Sequence, residues 1–317
     1  MKKILLSVFL LISFISFSQD IIYPYPANYF TIHVEGQAVK MAFMDVKPSM
    51  ANSETVLLFH GKNFNGFYWK DVISFLTQAG YRAVVPDQVG WGKSSKPNIH
   101  YSFFMLANNN VKLLDSLGIN KVIVVGHSMG GMLATRFALM FPQKVQKLVL
   151  ENPIGLEDYS AFVPYKSLDD LYKNESNQTY ESIKKYQQSY YPTWKEEYEP
   201  YVQVQAEQLK DTNFAQIALV NAITYQMIYE QPVVYSFDSL HVPTLLIIGQ
   251  ADRTVVGKNN LTEEQKKVYG NYPLLGEKTA AKIKQSKLVK IPGVGHIPHI
   301  QAPDVFRQQL LSFLSNK

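Results

Sequence analysis

The amino-acid sequence predicts an α/β fold, a mostly parallel, doubly wound sheet of about eight strands interrupted by one long helical insertion. Three observations lead there. Short apolar runs at residues 55–60, 82–87, 121–126 and 145–151 are separated by segments of helical periodicity, the alternation that builds a parallel sheet with helices on both faces. A glycine-flanked turn, Gly126-His127-Ser128-Met129-Gly130-Gly131, joins the third of those runs directly to a helical pattern over residues 132–140. Residues 154–240 then lack any strand-like apolar run, after which buried-strand patterns return at 244–249 and 287–291.

In chain order, the first feature is Met1-Lys2-Lys3 followed by an apolar stretch over residues 4–17, too short to span a bilayer comfortably. Ser16-Phe17-Ser18 supplies the small-x-small pattern of a signal-peptidase site, so residues 1–18 are expected to be a signal peptide and the mature chain to begin near Gln19. A periplasmic or secreted protein with no stable membrane insertion after cleavage follows, with an uncleaved N-terminal anchor as the competing reading. Residues 30–47 alternate as two antiparallel strands, and the parallel core follows, so the core is expected at 19–153 and 241–317 and the insertion at 154–240. A final helical pattern covers 303–315.

Composition narrows the function classes. The formal net charge of +5 falls to +3 without Lys2 and Lys3, and no basic block or stripe occurs, so nucleic acid is not an expected partner. The chain has no cysteine, which excludes disulfides, a thiol nucleophile and a lipidated N-terminal cysteine; an exported protein of this kind draws its stability from its core. A monomer or weak dimer is expected.

The chemistry is concentrated at strand ends. A G-x-S-x-G sequence between a strand and a helix is a nucleophile elbow, a turn tight enough to require small residues two positions either side of Ser128. A serine hydroxyl is a weak nucleophile near neutral pH, so it needs a base, a carboxylate to orient that base, and donors for an oxyanion. Asp252 follows the run at 244–249 and is the candidate acid. His296, in Pro292-Gly293-Val294-Gly295-His296-Ile297-Pro298, follows the run at 287–291 and is the candidate base. The candidate oxyanion donors are the backbone N–H groups of Met129 and of Lys62, with Asn63 as the alternative in the loop after Phe59-His60-Gly61.

On these residues the chain resembles the α/β-hydrolase superfamily, particularly its lid-bearing esterase-like and carbon–carbon hydrolase-like members. The resemblance runs from about Tyr29 to the C-terminus. It is carried by His60-Gly61, by the stretch from Asp87 through Gly90-Trp91-Gly92 to Ser95, by Gly126-His127-Ser128-Met129-Gly130, and by Gly295-His296. It implies a Ser-acid-His triad in that chain order and a helical lid at 154–240, and it implies no particular substrate. Relatives often carry proline soon after the His-Gly pair, whereas this chain reads Lys62-Asn63-Phe64-Asn65-Gly66. Relatives that open haloalkanes or epoxides use an aspartate at the elbow, which this chain lacks. Carbon–carbon hydrolases of vinylogous diketones use the same triad together with a basic lid residue, usually arginine, and residues 154–240 contain no arginine. Catalytically inactive binding modules on this fold typically lose a triad member.

The remaining polar residues have competing roles. His127 is expected to point away from Ser128. His299 follows His296 by three residues without a third ligand at a recognisable spacing, so no metal site is expected. Asp87 is expected to fix its turn, and Glu151, at the end of the strand before the insertion, is the rival to Asp252. The insertion holds 12 of the 20 tyrosines together with Trp194, which is expected either to roof a pocket for an apolar acyl or aryl group or to pack as an amphipathic surface. The expectation is an exported serine hydrolase of carboxylic esters, with a small-molecule ester substrate and no cofactor.

Overall fold

The computed structural model describes residues 22–316. The expected signal peptide, residues 1–18, lies outside them.

Eight strands form one sheet in the order β1-β2-β4-β3-β5-β6-β7-β8. They are β1 Ala27–Val34, β2 Gln37–Val46, β3 Thr55–Phe59, β4 Arg82–Pro86, β5 Val122–His127, β6 Val145–Glu151, β7 Thr244–Gly249 and β8 Ser286–Ile291. The β1–β2 and β2–β4 pairs are antiparallel and all later pairs parallel. The hairpin between β1 and β2 turns through Glu35 and Gly36, both at positive φ, the geometry a two-residue loop needs to follow strand twist. Every residue of β3, β5 and β7 is buried, as expected of strands covered on both faces.

The helices, α1 Lys70–Gln78, α2 Phe103–Ser116, α3 Met129–Met140, α4 Leu168–Ser176, α5 Tyr180–Gln188, α6 Glu199–Ala206, α7 Phe214–Glu230, α8 Glu263–Val268, α9 Tyr272–Lys282, α10 Pro298–Gln301 and α11 Pro303–Ser315, cover both sides. Leu106, Leu113, Leu133, Phe137 and Tyr272, from α2, α3 and α9, pack on one face of the sheet with Leu57 and Val124. Val72, Leu76, Phe306 and Leu310, from α1 and α11, pack on the other with Leu58 and Val125. The fold is therefore doubly wound. The order reverses at β3, which lies between β4 and β5, so the carboxyl ends of β3 and β5 open onto a topological switch point, where such sheets place their chemistry.

Between β6 and β7 the chain carries α4 to α7 and no strand among the described residues. Ser167 and Thr179 cap α4 and α5 by accepting from the amides of Asp170 and Ser182, which marks where each helix begins. α7 joins the main core through Val220, Met227 and Ile228. The stretch after α5 joins the opposite core through Tyr190, Tyr191 and Tyr198. Tyr191 stacks on Tyr198 with ring centroids 4.1 Å apart, and Trp194 meets both edge-on. Much of the tyrosine in this segment is thus packing surface. Among the described residues no helix is long and apolar enough to cross a membrane.

Candidate active site

Ser128 sits between β5 and α3 with φ 55° and ψ −121°, a conformation that costs a non-glycine residue on the order of 1–3 kcal/mol and persists only where neighbours impose it. The neighbours are identifiable. Ser128 N–H donates to the Glu151 carbonyl on β6, and its own carbonyl accepts from Gly131 and Ile154. A Cβ on Gly126 would lie 2.2 Å from the Gly130 carbonyl oxygen, and one on Gly130 would lie 2.2 Å from that of Phe59. The spacing of glycines around the serine thus reflects the close approach of β3, β5 and α3.

Ser128 Oγ lies 2.9 Å from His296 Nε2, and His296 Nδ1 lies 2.7 Å from Asp252 Oδ2. An ionised carboxylate only accepts, so Nδ1 carries the proton and Nε2 is left to accept from the serine hydroxyl. Asp252 is held from two further directions: Asn152 Nδ2 donates to Oδ2 at 2.7 Å and Thr254 N–H donates to Oδ1 at 2.8 Å. Burial alone would raise its pKa; the neighbouring His296 and the three hydrogen bonds outweigh burial and keep the carboxyl below its ordinary value. The acid and base loops interlock as well, since Ala251 N–H donates to the Val294 carbonyl and a Cβ on Gly249 would lie 2.1 Å from the Gly295 carbonyl oxygen.

The loop after β3 lies against the elbow, with the position of a Gly61 Cβ 3.1 Å from Ser128 Cβ. Gly61 N–H is taken up by Tyr68 Oη and Phe64 N–H by the Gly61 carbonyl. The amides of Lys62 and Asn63 have no such partner among the described residues, and both candidates for the second donor stay available. Trp91 Nε1 donates to the Lys62 carbonyl at 2.7 Å and fixes that peptide's orientation. Met129 opens α3, whose N-terminus adds a partial positive charge beside Ser128.

The competing residues have other work. His127 donates from Nε2 to the His296 carbonyl at 2.8 Å, leaving Nδ1 to accept from Tyr68 Oη at 3.1 Å. Burial, with other histidines close by, pushes its pKa well below the ordinary imidazole value, so the ring is a neutral strut. Glu151 accepts from the backbone N–H and Nδ1 of His299, which itself stacks on Trp69. Asp87 Oδ1 accepts from Gly66 N–H, and its Oδ2 accepts from Lys93 N–H and from Tyr23, tying together the loops after β3 and β4. His60 is neutral and buried, accepting from Gln88 N–H through Nε2.

Two residues that the sequence did not single out complete the arrangement. Asn152, at φ 34° just past β6, bridges Asp252 and the Gly249 N–H. Tyr190, between α5 and α6, stacks on His296 with ring centroids 4.8 Å apart and accepts from the His296 N–H. Its hydroxyl accepts from Asn63 Nδ2 at 2.9 Å, so it roofs the triad, where Ser128 is only 7% exposed. The signal available for Asn152 was its place immediately beyond a buried strand end.

Two cavities flank this roof. One, about 240 Å³, adjoins Lys62 and Asn63 and is lined by Phe64 and Trp91 on the core side and by Gln178, Gln205 and Asn221 opposite. The insertion contributes amides and the charged Glu175, Glu207, Lys210 and Asp211 to this cavity, and no tyrosine. The other, about 530 Å³, lies between α5 and the loop after Asp252.

The alpha/beta hydrolase fold family matches residues 54–303 of the chain. The crystal structure of a probable hydrolytic enzyme from Pseudomonas aeruginosa superposes with a TM-score of 0.91 at 47% identity, covering 93% of this chain and 96% of that one. A 2-hydroxy-6-oxononadienedioate/2-hydroxy-6-oxononatrienedioate hydrolase from Paraburkholderia phymatum is 38% identical over 144 residues, 43% of this chain and 49% of that protein. Epoxide hydrolase 2 of Siraitia grosvenorii is 37% identical over 103 residues, 32% of this chain and 33% of that protein. The chain spans about a fifth to a half of the length of the curated relatives it matches. By the family match and the near full-length likeness together, the chain belongs to the alpha/beta hydrolase fold family.

Proposed function

We propose that this protein is an exported serine esterase, with Ser128 as nucleophile, His296 as general base and Asp252 as its orienting acid. The observation that carries the reading is the continuous hydrogen-bonded line from Ser128 Oγ through His296 to Asp252, at 2.9 and 2.7 Å, at the apex of a strained elbow. In the first step Ser128 Oγ bonds to the ester carbonyl carbon as its proton passes to His296 Nε2. The carbonyl oxygen takes the negative charge, stabilised by the amides of Met129 and of Lys62 or Asn63. Collapse breaks the bond to the alcohol oxygen, which leaves with the proton from His296. Water then repeats the sequence on the acyl-enzyme and releases the acid.

Export rests on the Lys-Lys, apolar, Ser-x-Ser order of the first 18 residues, and a lid role for residues 154–240 rests on Tyr190 lying over His296. Phe64 and Trp91 offer an apolar acyl or aryl group a surface beside the Lys62 loop, in a cavity otherwise lined mainly by polar and charged side chains, with each methylene buried there worth about 0.8 kcal/mol. The test is fluorophosphonate labelling together with a panel of p-nitrophenyl esters of graded chain length. Rates are expected to rise from acetyl to short or medium acyl groups and then fall, and Ser128→Ala to abolish labelling and to lower kcat by about 10³- to 10⁶-fold. Retained turnover in Ser128→Ala would overturn the assignment. Mass spectrometry of protein from an exporting host is expected to find an N-terminus near Gln19, whereas full-length chain in washed membranes would favour an anchor.

The similarity to the Paraburkholderia hydrolase favours a second reading, carbon–carbon bond hydrolysis by the same triad. Cleavage of a vinylogous diketone at least as efficiently as the best ester would move the assignment there.

A further inference from the structure

The larger cavity has a one-sided charge. The ionisable residues lining it, apart from tyrosines, are Lys185 from α5 and Arg253, Lys258 and Lys266 from the opposite wall; no carboxylate lines it. Lys266 is paired with Glu263 at 2.7 Å. The other three make no ion pair among the described residues: Arg253 donates to the Asp252 carbonyl and Lys258 donates to the Arg253 carbonyl at 3.0 Å. Gathering like charges around a concave space is unfavourable without a counter-charge, and the field it creates concentrates anions there. Lys258 registers the crowding. Burial lowers its pKa, and although Asp252 acts the other way, Lys266 and Arg253 add to the lowering.

The cavity is also one side chain away from the triad. Tyr190 and Thr254 line it, and they are the residues that stack on His296 and donate to Asp252. Ser182 and Ser189 also line it, their hydroxyls donating to the Thr179 and Tyr186 carbonyls.

We propose that this cavity is an anion subsite that takes a carboxylate- or phosphate-type group next to the catalytic base. Two sources of that group are chemically equivalent here, a charged substituent on the ester substrate and a free small anion acting beside it. As a statement about substrate it rests on the esterase reading; as a statement about anion binding it does not.

The substrate arm compares kcat/KM for p-nitrophenyl butyrate and for mono-p-nitrophenyl glutarate, which share a leaving group and differ by a terminal carboxylate. The expected result is a charged-to-neutral ratio that falls by about tenfold in Lys185→Gln/Lys258→Gln, recovers in Lys185→Arg/Lys258→Arg, and weakens as salt is raised. The free-anion arm measures the melting temperature of the same proteins in inorganic phosphate and in glutarate, against chloride at equal ionic strength. A stabilisation present in wild type and absent from the glutamine variant is expected. A change in the ratio assigns the anion to the substrate, and a thermal shift without it assigns a free anion; either supports the subsite. If the glutamine variant, folded by circular dichroism, matches wild type in both the ratio and the anion-dependent shift, the proposal is overturned. Should wild type hydrolyse neither ester, the esterase reading fails and the thermal arm alone decides whether the cavity binds anions.

Discussion

Asn152 and His296 share one oxygen of Asp252, each with a nitrogen 2.7 Å from Oδ2. The asparagine also accepts from Gly249 N–H, so it holds the end of β7 and the acid beyond it in one grip.

Removing that grip without straining the backbone calls for Asn152→Gly, because the residue sits at positive φ, which glycine tolerates. A hydrogen bond to a charged group contributes about 1.5–3 kcal/mol, so kcat should fall roughly 10- to 100-fold. The Asp252 carboxyl should become less acidic, moving the acidic limb of the pH–rate profile upward. A pH profile unchanged from wild type would show that Asn152 does not tune the acid.

The two carboxylates at strand ends should separate cleanly. Asp252→Asn is expected to favour the wrong His296 tautomer and lower kcat by about 10⁴-fold. Glu151→Gln should keep most activity and instead lower the melting temperature, because its partner is His299. Steady-state kinetics beside calorimetry on both variants makes the check, and the opposite ranking would transfer the acid role to Glu151.

Tyr68 connects the loop after β3 to the base through His127. Tyr68→Phe leaves the buried Gly61 N–H and His127 Nδ1 without partners, at a cost of about 1–3 kcal/mol for each group left unpaired. The expected signature is a lower melting temperature together with a fall in kcat at nearly constant KM, since the groups it positions act on the transition state. A rise in KM alone would contradict this role.

Acid sensitivity should begin near neutrality. The folded-state pKa values of His60 and His127 are lowered, chiefly by burial, from the ordinary 6.5, so the folded protein resists protons that the unfolded chain accepts. Their contribution is complete above pH 6.5 and is lost as pH falls below it, at up to about 1.4 kcal/mol per pH unit for each group. Asp252, also lowered, adds a loss as pH falls through and below its ordinary 3.8. Calorimetry from pH 8 to 5 should show a falling melting temperature, and a flat curve would contradict the buried neutral histidines.

Strands and elbow were legible because their signals are local. Apolar runs of five to seven residues became β3 to β8 within a residue or two, and the Gly126-x-Ser128-x-Gly130 spacing described a steric fact that the fold then displayed. The juxtaposition of Ser128, His296 and Asp252 was legible because each follows a recognisable strand. What escaped depends on partners far along the chain. Glu151 could be separated from Asp252 only by seeing His299, 148 residues away, bond to it. Tyr190 was one tyrosine among twelve in its segment, and nothing nearby distinguishes it from Tyr191, which packs away from the site. Lys185 and Lys258 read as ordinary surface charge until the fold set them around the same space.

Ser128 Oγ meets His296 Nε2 across 168 residues of sequence, and the backbone of His296 is anchored by Tyr190 and His127, both distant in the chain. His296 follows β8, the edge strand of the sheet, so a chain in which β8 has not paired with β7 lacks the imidazole beside Ser128. On the esterase reading, Ser128 then has no base to take its proton, so hydrolysis requires the whole sheet rather than the elbow alone.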